Sequence, residues 1–169
     1  MILVILSAAC GVGKTTVKNH LKEGRISEFF ACIDTDEVGL NWWDYAGTDK
    51  ESKYSEDCLK AAVRLAEGKN LLFFSCLNPD TFYGEFDIPA EITAAYFIAM
   101  TCSDDEISAR LKARPPERLC GSDEFIRKQI EYNNWFIKNK GKFQLYIDNT
   151  DMSVQCTAEK IEDFIEGFI

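Results

Sequence analysis

Residues 8–16 read Ala8-Ala9-Cys10-Gly11-Val12-Gly13-Lys14-Thr15-Thr16, and this stretch decides the fold of the chain. It lies between an apolar run at residues 1–6 and a helical pattern that begins near Gly13. A strand, a glycine-containing loop that ends in Gly-Lys-Thr, and a helix together make a phosphate-binding loop. The alternative, a chance glycine turn, leaves the flanking strand and helix unexplained. Ala8 stands where the usual motif has glycine, which alanine can replace if its φ is negative.

The residue types in this loop suit a phosphate ligand. Gly11 and Gly13 allow the backbone to curl around an anion with its N–H groups pointing inward. The helix that follows contributes unpaired N–H groups and the positive end of its dipole. We expect Lys14 to reach the outer phosphates and the Thr15 hydroxyl to bind Mg²⁺. The residues expected to hold the nucleotide phosphates are Ala9, Cys10, Gly11, Val12, Gly13, Lys14, Thr15 and Thr16.

The length and charge of the chain limit its possible functions. Its 169 residues fit one domain, predicted to span residues 1–169, with a core large enough to need no disulfides. A composition of 46% hydrophobic and 28% charged residues is that of an ordinary globular protein. The net charge of −9 argues against a nucleic-acid polymer as partner, because phosphate backbones attract basic surfaces.

The cysteines indicate the compartment. Seven cysteines are scattered along the chain, without the Cys-x-x-Cys spacing of a zinc site. Most lie in apolar segments, where a free thiol packs as a small hydrophobic group, as is usual in a reducing cytoplasm. Cys10, inside the loop, is either a thiol made reactive by nearby N–H groups or simply a small loop residue. The apolar run at residues 1–6 is too short for a membrane span or a signal peptide, so we expect a cytoplasmic protein.

Strand and helix patterns alternate along the whole chain. Strands are predicted at residues 2–6, 29–33, 71–74, 95–100 and 143–147. Helices are predicted at residues 14–22, 55–67, 104–113, 123–138 and 158–168. The strand segments are apolar throughout, which is typical of parallel strands covered by helices on both faces. The pattern therefore predicts a three-layer α/β fold with one parallel sheet.

Two aspartates follow the second predicted strand. In an open parallel sheet the carboxyl ends of the strands form the ligand crevice, so Asp34-Thr35-Asp36 is expected beside the loop. The strand at residues 71–74 is followed by Ser75-Cys76 and offers no carboxylate for a metal. We assign Asp34 to the water shell of Mg²⁺ and Asp36 to the acceptor hydroxyl, whose proton it would take. The alternative is that both aspartates cap the helical turn that follows them.

Three arginines lie at the end of the fourth predicted helix and just beyond it. Arg110 and Arg114 are four residues apart, and Arg118 follows two prolines. A cationic helix end that runs into a short polar segment, here residues 114–123, is typical of a lid whose guanidinium groups close over a transferring phosphate. The alternative is that these arginines only complement the helix dipole.

Two further segments are candidates for contact with an acceptor. Asn41-Trp42-Trp43-Asp44-Tyr45 follows the aspartates and either stacks on a flat ring or forms the core of a small helix. Asn78-Pro79-Asp80, after the third strand, is predicted to be a turn at the rim of the crevice. Neither segment identifies the acceptor.

Together these features resemble the P-loop small-molecule kinases, the group that includes nucleoside, nucleotide, shikimate and gluconate kinases. The likeness covers nearly the whole chain: the loop, Asp34-x-Asp36, the arginines from Arg110 onward, and the segment 145–150 before the last helix. The resemblance implies a five-stranded parallel sheet in the order 2-3-1-4-5, with the acceptor near the aspartates. It also implies that adenine lies between the lid helix and the loop after the fifth strand. The residues that would flank adenine are then Arg110, Asn149 and Thr150.

The sequence thus predicts a cytoplasmic kinase, a phosphotransferase that uses ATP and Mg²⁺ and acts on a small molecule such as a nucleoside or nucleotide. The residues expected to act in the transfer are Lys14, Asp36, Arg110 and Arg114. Two other functions stay open. One is a polynucleotide 5′-hydroxyl kinase, and the other is a nucleotide-binding switch or ATPase without an acceptor.

Overall fold

The structure, a computed structural model, describes residues 1–168. Five strands form one sheet: β1 (Ile2–Ser7), β2 (Phe30–Asp34), β3 (Asn70–Ser75), β4 (Ala94–Thr101) and β5 (Leu145–Asp148). All neighbouring strands are parallel, and their order is β2-β3-β1-β4-β5. The predicted fold class and strand order are therefore confirmed. Because β1 is central, the loop that follows it opens at the middle of the sheet's carboxyl edge.

Six helices of at least seven residues accompany the sheet in the described residues: α1 (Lys14–Lys22), α2 (Tyr54–Leu65), α3 (Pro79–Glu85), α4 (Asp104–Lys112), α5 (Asp123–Lys138) and α6 (Val154–Glu166). Short 3₁₀ helices lie between them at Arg25–Glu28, Thr35–Glu37, Trp42–Asp44, Glu51–Lys53, Pro116–Arg118 and Lys140–Lys142. None of the helices in residues 1–168 combines the length and apolar character needed to cross a membrane.

The core has two halves, one on each face of the sheet. On one face, Val4 and Leu6 of β1 pack in a cluster with side chains of α1, α4 and α6. On the other face, Leu3 and Ile5 pack in a cluster with side chains of α2, α3 and α5. Successive side chains of a strand point to opposite faces, so a strand covered on both sides must be apolar throughout. This is the reason that β1 contains no alternating polar residues.

The structure differs most from the sequence prediction at one missed helix and at the starts of two other elements. Residues 79–85 form α3 where a turn was predicted, because Asn78 accepts a hydrogen bond from Thr81 N and Pro79 begins the helix. Helix α6 begins four residues earlier than predicted, with Ser153 as its cap. Strand β5 begins two residues later, because residues 140–142 form a 3₁₀ helix. In each case a local capping or turn interaction moves the boundary.

The sequence pattern at Ser103 and Glu106 predicts a capping box, and the structure contains only half of it. The Ser103 hydroxyl accepts the Glu106 N–H, as expected. The Glu106 carboxylate instead pairs with Arg110 at 2.8 Å, and the N–H of Ser103 donates to the hydroxyl of Thr150. A full capping box lies elsewhere, between Asp34 and Glu37.

Candidate active site

The phosphate-binding loop depends on two glycines in the left-handed region. Gly11 has φ of 89° and Gly13 has φ of 113°, a backbone conformation that costs glycine little and other residues more. A Cβ at Gly11 would also lie 3.0 Å from Cγ of Leu111. Ala8 is buried and is not among the residues with positive φ, so its substitution for the usual glycine causes no strain.

Lys14 points back into the loop. Its Nζ donates to the carbonyl oxygens of Ala8 at 2.7 Å and Ala9 at 3.1 Å, and it lies 3.5 Å from Sγ of Cys76. Burial lowers the pKa of Lys14, but the negative charges of Cys76 and Asp34 act against burial, and the pKa is raised overall. Lys14 is therefore a fixed cation at the centre of the loop.

Asp34 serves as both a helix cap and a partner of the loop. Its Oδ2 accepts the Thr15 hydroxyl at 3.2 Å, and its Oδ1 accepts the Asp36 N–H at 3.2 Å. Its own N–H donates to Glu37, which completes the capping box. The capping alternative is therefore correct for Asp34, and the predicted juxtaposition with Thr15 is also present. For Asp36 the capping alternative does not hold, because its side chain caps nothing in the described residues.

The pairing of Thr15 with Asp34 fits a magnesium ion. A hydroxyl and a carboxylate are hard oxygen ligands, and Mg²⁺ is usually held by one or two such groups together with phosphate oxygens and water. Within residues 1–168, no three His, Cys, Asp or Glu side chains cluster as a metal site. Asp34 is only 5% exposed, so a cation beside it would also compensate a nearly buried negative charge.

One cavity of about 250 Å³ joins most of the predicted site residues. Among its lining residues are Cys10, Lys14, Thr15, Asp34, Asp36, Cys76 and Arg114. The phosphate-binding loop contributes Cys10, Lys14 and Thr15. The aspartates come from the end of β2 and the turn after it, Cys76 follows β3, and Arg114 follows α4. The carboxyl edge of the sheet thus brings together residues that are far apart in the chain, from Cys10 to Arg114.

Arg110 does not line this cavity. Its Nη1 donates to the carbonyl oxygen of Val12 at 2.8 Å, on the other side of the loop, and its Nη2 pairs with Glu106. Asn149 Nδ2 donates to the same Val12 carbonyl at 3.1 Å. Arg110 and Asn149 line a second depression of about 230 Å³, next to α1 and the start of α6.

Asn149, which lines this second depression, carries an unsatisfied polar atom. Its side chain is nearly buried and its Oδ1 has no hydrogen-bond partner within the described structure. Buried acceptors are usually paired, so an orphaned one suggests a donor supplied by a ligand, such as an exocyclic amine. Thr150 is placed differently from the prediction: its hydroxyl binds Ser103 N and Asp148, and it is not among the residues that line the depression.

The third arginine reaches an aspartate of the site. Arg118 Nη1 lies 3.2 Å from Oδ2 of Asp36, and both side chains are well exposed. Arg118 belongs to the 3₁₀ helix Pro116–Arg118 in the segment predicted as a lid. The contact therefore joins the segment at 114–123 to the aspartate pair.

The aromatic segment is exposed. Trp42 is 40% exposed and Trp43 is 64% exposed, so neither forms the core of a small helix. The Trp42 ring meets the edge of Tyr54 at a centroid distance of 5.2 Å. With Asp36, Asn41, Leu40, Glu117 and Arg118, these rings line an open groove of about 370 Å³. Asp36 and Tyr54 line both this groove and the cavity of the loop.

The sequence analysis missed several contributors to the site. Gln129 on α5 accepts the backbone N–H of Cys10 at 2.9 Å, and Tyr132 of the same helix donates to the Cys76 carbonyl. No motif marks these residues, because a helix that packs across the loop is set by tertiary structure. Cys76 could have been found, since it follows a parallel strand at the same edge as the aspartates.

Comparison with known proteins supports these observations. A family model described as an AAA domain matches residues 4–131. No curated protein matches the chain. Among solved structures, a shikimate kinase from Bacteroides thetaiotaomicron is similar, with a TM-score of 0.63, 15% identity, and 98% of each chain covered.

Two other solved structures are similar over nearly their whole length. A sugar kinase from Janibacter sp. HTCC2649 has a TM-score of 0.67 and 14% identity, with 98% of this chain and 95% of that chain covered. A deoxyadenosine kinase from M. mycoides, with bound dATP, has a TM-score of 0.59 and 16% identity, with 98% and 100% covered. At these identities the likeness establishes the fold, and the resemblance drawn from the sequence is confirmed at that level. With the family model matching most of its length, the chain belongs to the AAA domain family and has the fold of the P-loop small-molecule kinases.

Proposed function

We propose that this protein is a kinase that transfers the γ-phosphoryl group of ATP, with Mg²⁺, to a hydroxyl of a small molecule. The observation that carries the proposal is the cavity in which Lys14, Thr15, Asp34, Asp36 and Arg114 meet. A loop for phosphates, an oxygen pair for a metal, a second carboxylate and a guanidinium are the groups that phosphoryl transfer needs. The cysteine usage favours a cytoplasmic location.

Each side chain has a proposed role in this reaction. Bound ATP supplies the phosphoryl group, and Mg²⁺ shields the charge of its phosphates. Lys14 would leave the Ala8 and Ala9 carbonyls to hold the outer phosphate oxygens, while Thr15 and Asp34 position the metal and its water. Arg114, exposed at the end of α4, would stabilise the negative charge of the transferring group.

Asp36 is the proposed partner of the acceptor hydroxyl. Its carboxylate lines both the cavity and the aromatic groove, which is the position that an acceptor between them requires. An ionised aspartate suffices to orient the hydroxyl and take its proton, because phosphoryl transfer depends more on position than on a strong base. Its contact with Arg118 would be exchanged for the acceptor when the substrate binds.

Arg110 and Asn149 are proposed to bind the nucleotide base and support the loop. Both donate to the Val12 carbonyl, and the Oδ1 of Asn149 has no hydrogen-bond partner in the described structure, so we expect it to accept from a ligand donor such as the amino group of adenine. This arrangement makes Arg110 a positioning residue rather than one that touches the transferring phosphate. Thr150 would act only through the turn that it stabilises beside Asn149.

The aromatic groove favours an acceptor with a flat ring, such as a nucleoside or a nucleotide. Trp43 is largely exposed and Trp42 is held by Tyr54, so at least one indole face is free to stack. Asn41 and Glu117 add hydrogen-bonding groups at the groove, and Arg118 adds a cation. Aromatic faces with a few polar groups are typical of sites for planar ligands.

The test is a screen for acceptor-dependent release of ADP, with nucleosides, nucleotides, sugars and 5′-hydroxyl oligonucleotides as candidates. We expect a flat-ringed small molecule to raise ADP release far above the rate with water. Trp43→Ala should raise KM for that acceptor about tenfold or more, the size expected for the loss of one stacking contact, while KM for ATP is unchanged. The exposed Ile137→Ala on α5, which lines neither the cavity, the second depression nor the groove, serves as the control.

Other outcomes of the screen would point elsewhere. ADP release that no acceptor changes would make the protein an ATPase or a switch. Activity on oligonucleotides that weakens steeply with salt would favour a polynucleotide kinase, because a polymer releases counterions on binding. A sugar acceptor with no effect of Trp43→Ala would contradict the proposed role of the groove and leave the kinase reaction standing.

A further inference from the structure

Two of the seven cysteines meet inside the phosphate-binding site. Cys32, Cys58, Cys102 and Cys120 are buried, and Cys156 is exposed. Cys10 and Cys76 are half-buried and line the same cavity. The sheet brings them together, because Ser7 of β1 is paired in register with Ser75 of β3 and each cysteine follows shortly after one of these residues. A backbone hydrogen bond from Ala8 N to the Ser75 carbonyl joins the two segments.

The two thiols are chemically different from each other. A hydrogen bond from Cys10 lowers the pKa of Cys76, and the nearby ammonium of Lys14 lowers it further against the opposing effect of burial. The pKa of Cys10 is raised well above its ordinary value, first by that hydrogen bond and then by burial. Cys76 is thus the thiolate of the pair and Cys10 the thiol. Lys14 Nζ, 3.5 Å from Sγ of Cys76, is the cation that pairs with it.

Backbone contacts hold both cysteines in place. The N–H of Cys10 donates to Gln129 Oε1, and Tyr132 donates to the carbonyl oxygen of Cys76. Both partners lie on α5. An accessible thiolate with a neighbouring thiol and a cation is the arrangement in which cysteines react with oxidants and form a disulfide.

We propose that Cys10 and Cys76 form an oxidant-sensitive dithiol, in which Cys76 reacts first with a hydroperoxide and Cys10 then closes a disulfide across the phosphate-binding loop. In the first step the Cys76 thiolate attacks one oxygen of hydrogen peroxide, and the O–O bond breaks. The products are a sulfenic acid on Cys76 and hydroxide, which takes a proton to become water. In the second step Cys10 sulfur attacks the Cys76 sulfur, the S–O bond breaks, and the leaving hydroxide takes the Cys10 proton. Two thiols are oxidised by two electrons, and one peroxide is reduced to two waters.

The disulfide would change the loop in two ways. It would tie Cys10 to the end of β3, and it would remove the thiolate that now pairs with Lys14. Cys10 belongs to the loop that wraps the phosphates, so we expect the oxidised protein to bind ATP at least tenfold more weakly. This consequence rests on the proposed function, whereas formation of the disulfide does not.

The first experiment maps disulfides in the whole protein, before and after treatment with hydrogen peroxide, by mass spectrometry of unreduced peptides. We expect one new linked pair, Cys10 with Cys76, which dithiothreitol reverses, while the exposed Cys156 stays free. A protein in which Cys76 remains available to alkylation at peroxide doses that oxidise Cys156 would overturn the proposal.

The order of attack has a separate test. In Cys10→Ala, the sulfenic acid on Cys76 has no partner and should be trapped by dimedone. In Cys76→Ala, Cys10 should give little or no such adduct. A dimedone adduct on Cys10 in preference to Cys76 would contradict the assignment of Cys76 as the attacking thiolate. If either variant fails to fold, brief peroxide exposure of the wild-type protein with dimedone present gives the same comparison.

Calorimetry with ATP and Mg²⁺ then tests the consequence for the loop. We expect the reduced protein to bind ATP and the oxidised protein to bind it at least tenfold more weakly. Dithiothreitol should restore the affinity of the reduced protein. If the reduced and the fully disulfide-linked protein bind ATP equally well, the predicted effect of the disulfide on ATP binding is overturned. Failure of the reduced protein to bind ATP would instead contradict the proposed function, so the two proposals fail in distinguishable ways.

Discussion

Lys14 is the residue on which the proposed function depends most. In this structure its ammonium is held by the Ala8 and Ala9 carbonyls and by Cys76, so it lies in the loop before any phosphate arrives. When a phosphate binds, Lys14 would exchange these carbonyl partners for phosphate oxygens, and a cation held beside the transferring group stabilises its developing negative charge. The residue is thus poised for phosphate by contacts that the sequence motif alone does not reveal.

Lys14→Ala should lower turnover by roughly a hundred- to thousandfold, the size expected when one preorganised charge is lost from a transition state. Steady-state ADP release checks this. Lys128→Ala, which removes an exposed lysine paired only with Glu124 on α5, is the matched control and should change turnover little. Near-normal turnover of Lys14→Ala would refute the assignment of the loop.

The two aspartates should respond differently to loss of charge. Asp36→Asn should suppress transfer to the acceptor while the affinity for ATP with Mg²⁺ is kept, because Asp36 also lines the aromatic groove that we propose for the acceptor. Asp34→Asn should raise the Mg²⁺ concentration needed for activity, because Asp34 is paired with Thr15. Titration of activity with Mg²⁺ and calorimetry with ATP separate the two effects. If Asp36→Asn loses ATP affinity as much as it loses transfer, Asp36 acts on the metal ion and not on the acceptor.

The sequence predicted which residues lie in the candidate site better than it predicted which residues they contact. The loop and aspartates were found because their chemistry is tied to short spacings and to the ends of parallel strands. The contact between Arg118 and Asp36, by contrast, joins residues that only the folded lid segment brings together. The orphaned Oδ1 of Asn149 is likewise invisible in a sequence, because burial decides whether an amide lacks a partner.

Among the elements, the 3₁₀ helix Thr35–Glu37 ties the end of β2 to α1. Glu37 caps it and also pairs with Lys18 of α1 at 2.6 Å, where the Lys18 side chain is only 4% exposed. Burial opposes ionisation of Glu37, but hydrogen bonds from Lys18, the Asp34 N–H and Lys22 outweigh it and lower its pKa to about 2.

This pKa predicts how stability changes with pH. A carboxyl whose pKa is lower in the folded state stabilises the protein above its unfolded pKa of 4.5, and that contribution is lost as the pH falls toward about 2. The free energy of unfolding should therefore fall more steeply between these values in wild type than in Glu37→Gln. Urea unfolding at a series of pH values measures it. The exposed Glu166→Gln should keep the wild-type slope, and identical slopes in all three proteins would contradict the assignment.

The segment at residues 114–123 remains a proposed lid. Arg114 is exposed and lines the cavity at the end of α4. If it acts on the transferring phosphate, Arg114→Ala should lower kcat by about tenfold or more, and raise KM less. Arg127→Ala on α5, which breaks only an exposed pair with Glu131, is the control in the same steady-state assay. A pure effect on KM would remove the transition-state role from Arg114.

Element boundaries show where sequence reasoning fails and why. The pattern of continuous apolar strands was enough for the sheet, since burial on both faces forces that composition. Helix α3 was missed because Asn78-Pro79-Asp80 is compatible with both a turn and a helix start, and only the packing of Phe82 into the core separates them. Glu106 does not complete the predicted capping box, because its carboxylate pairs with the charged guanidinium of Arg110, a stronger partner than a backbone N–H.

In the molecule as a whole, the order of the strands brings the residues of the candidate site together. The order β2-β3-β1-β4-β5 places the loop after β1 beside the ends of β3 and β4, with β2 next to β3. Five separate segments, which follow β1, β2, β3 and α4 or begin α2, thus line one cavity. The net charge of −9 means that an anionic substrate must be held by these few focused groups rather than by a basic surface.

Isothermal calorimetry of the reduced protein with ATP and Mg²⁺ shows whether the loop at residues 8–16 binds a nucleoside triphosphate. We predict saturable heat for one nucleotide per chain, which weakens when Mg²⁺ is withdrawn and in Lys14→Ala. Folded protein that gives no binding heat with any purine or pyrimidine nucleoside triphosphate, with Mg²⁺ present, would contradict the account.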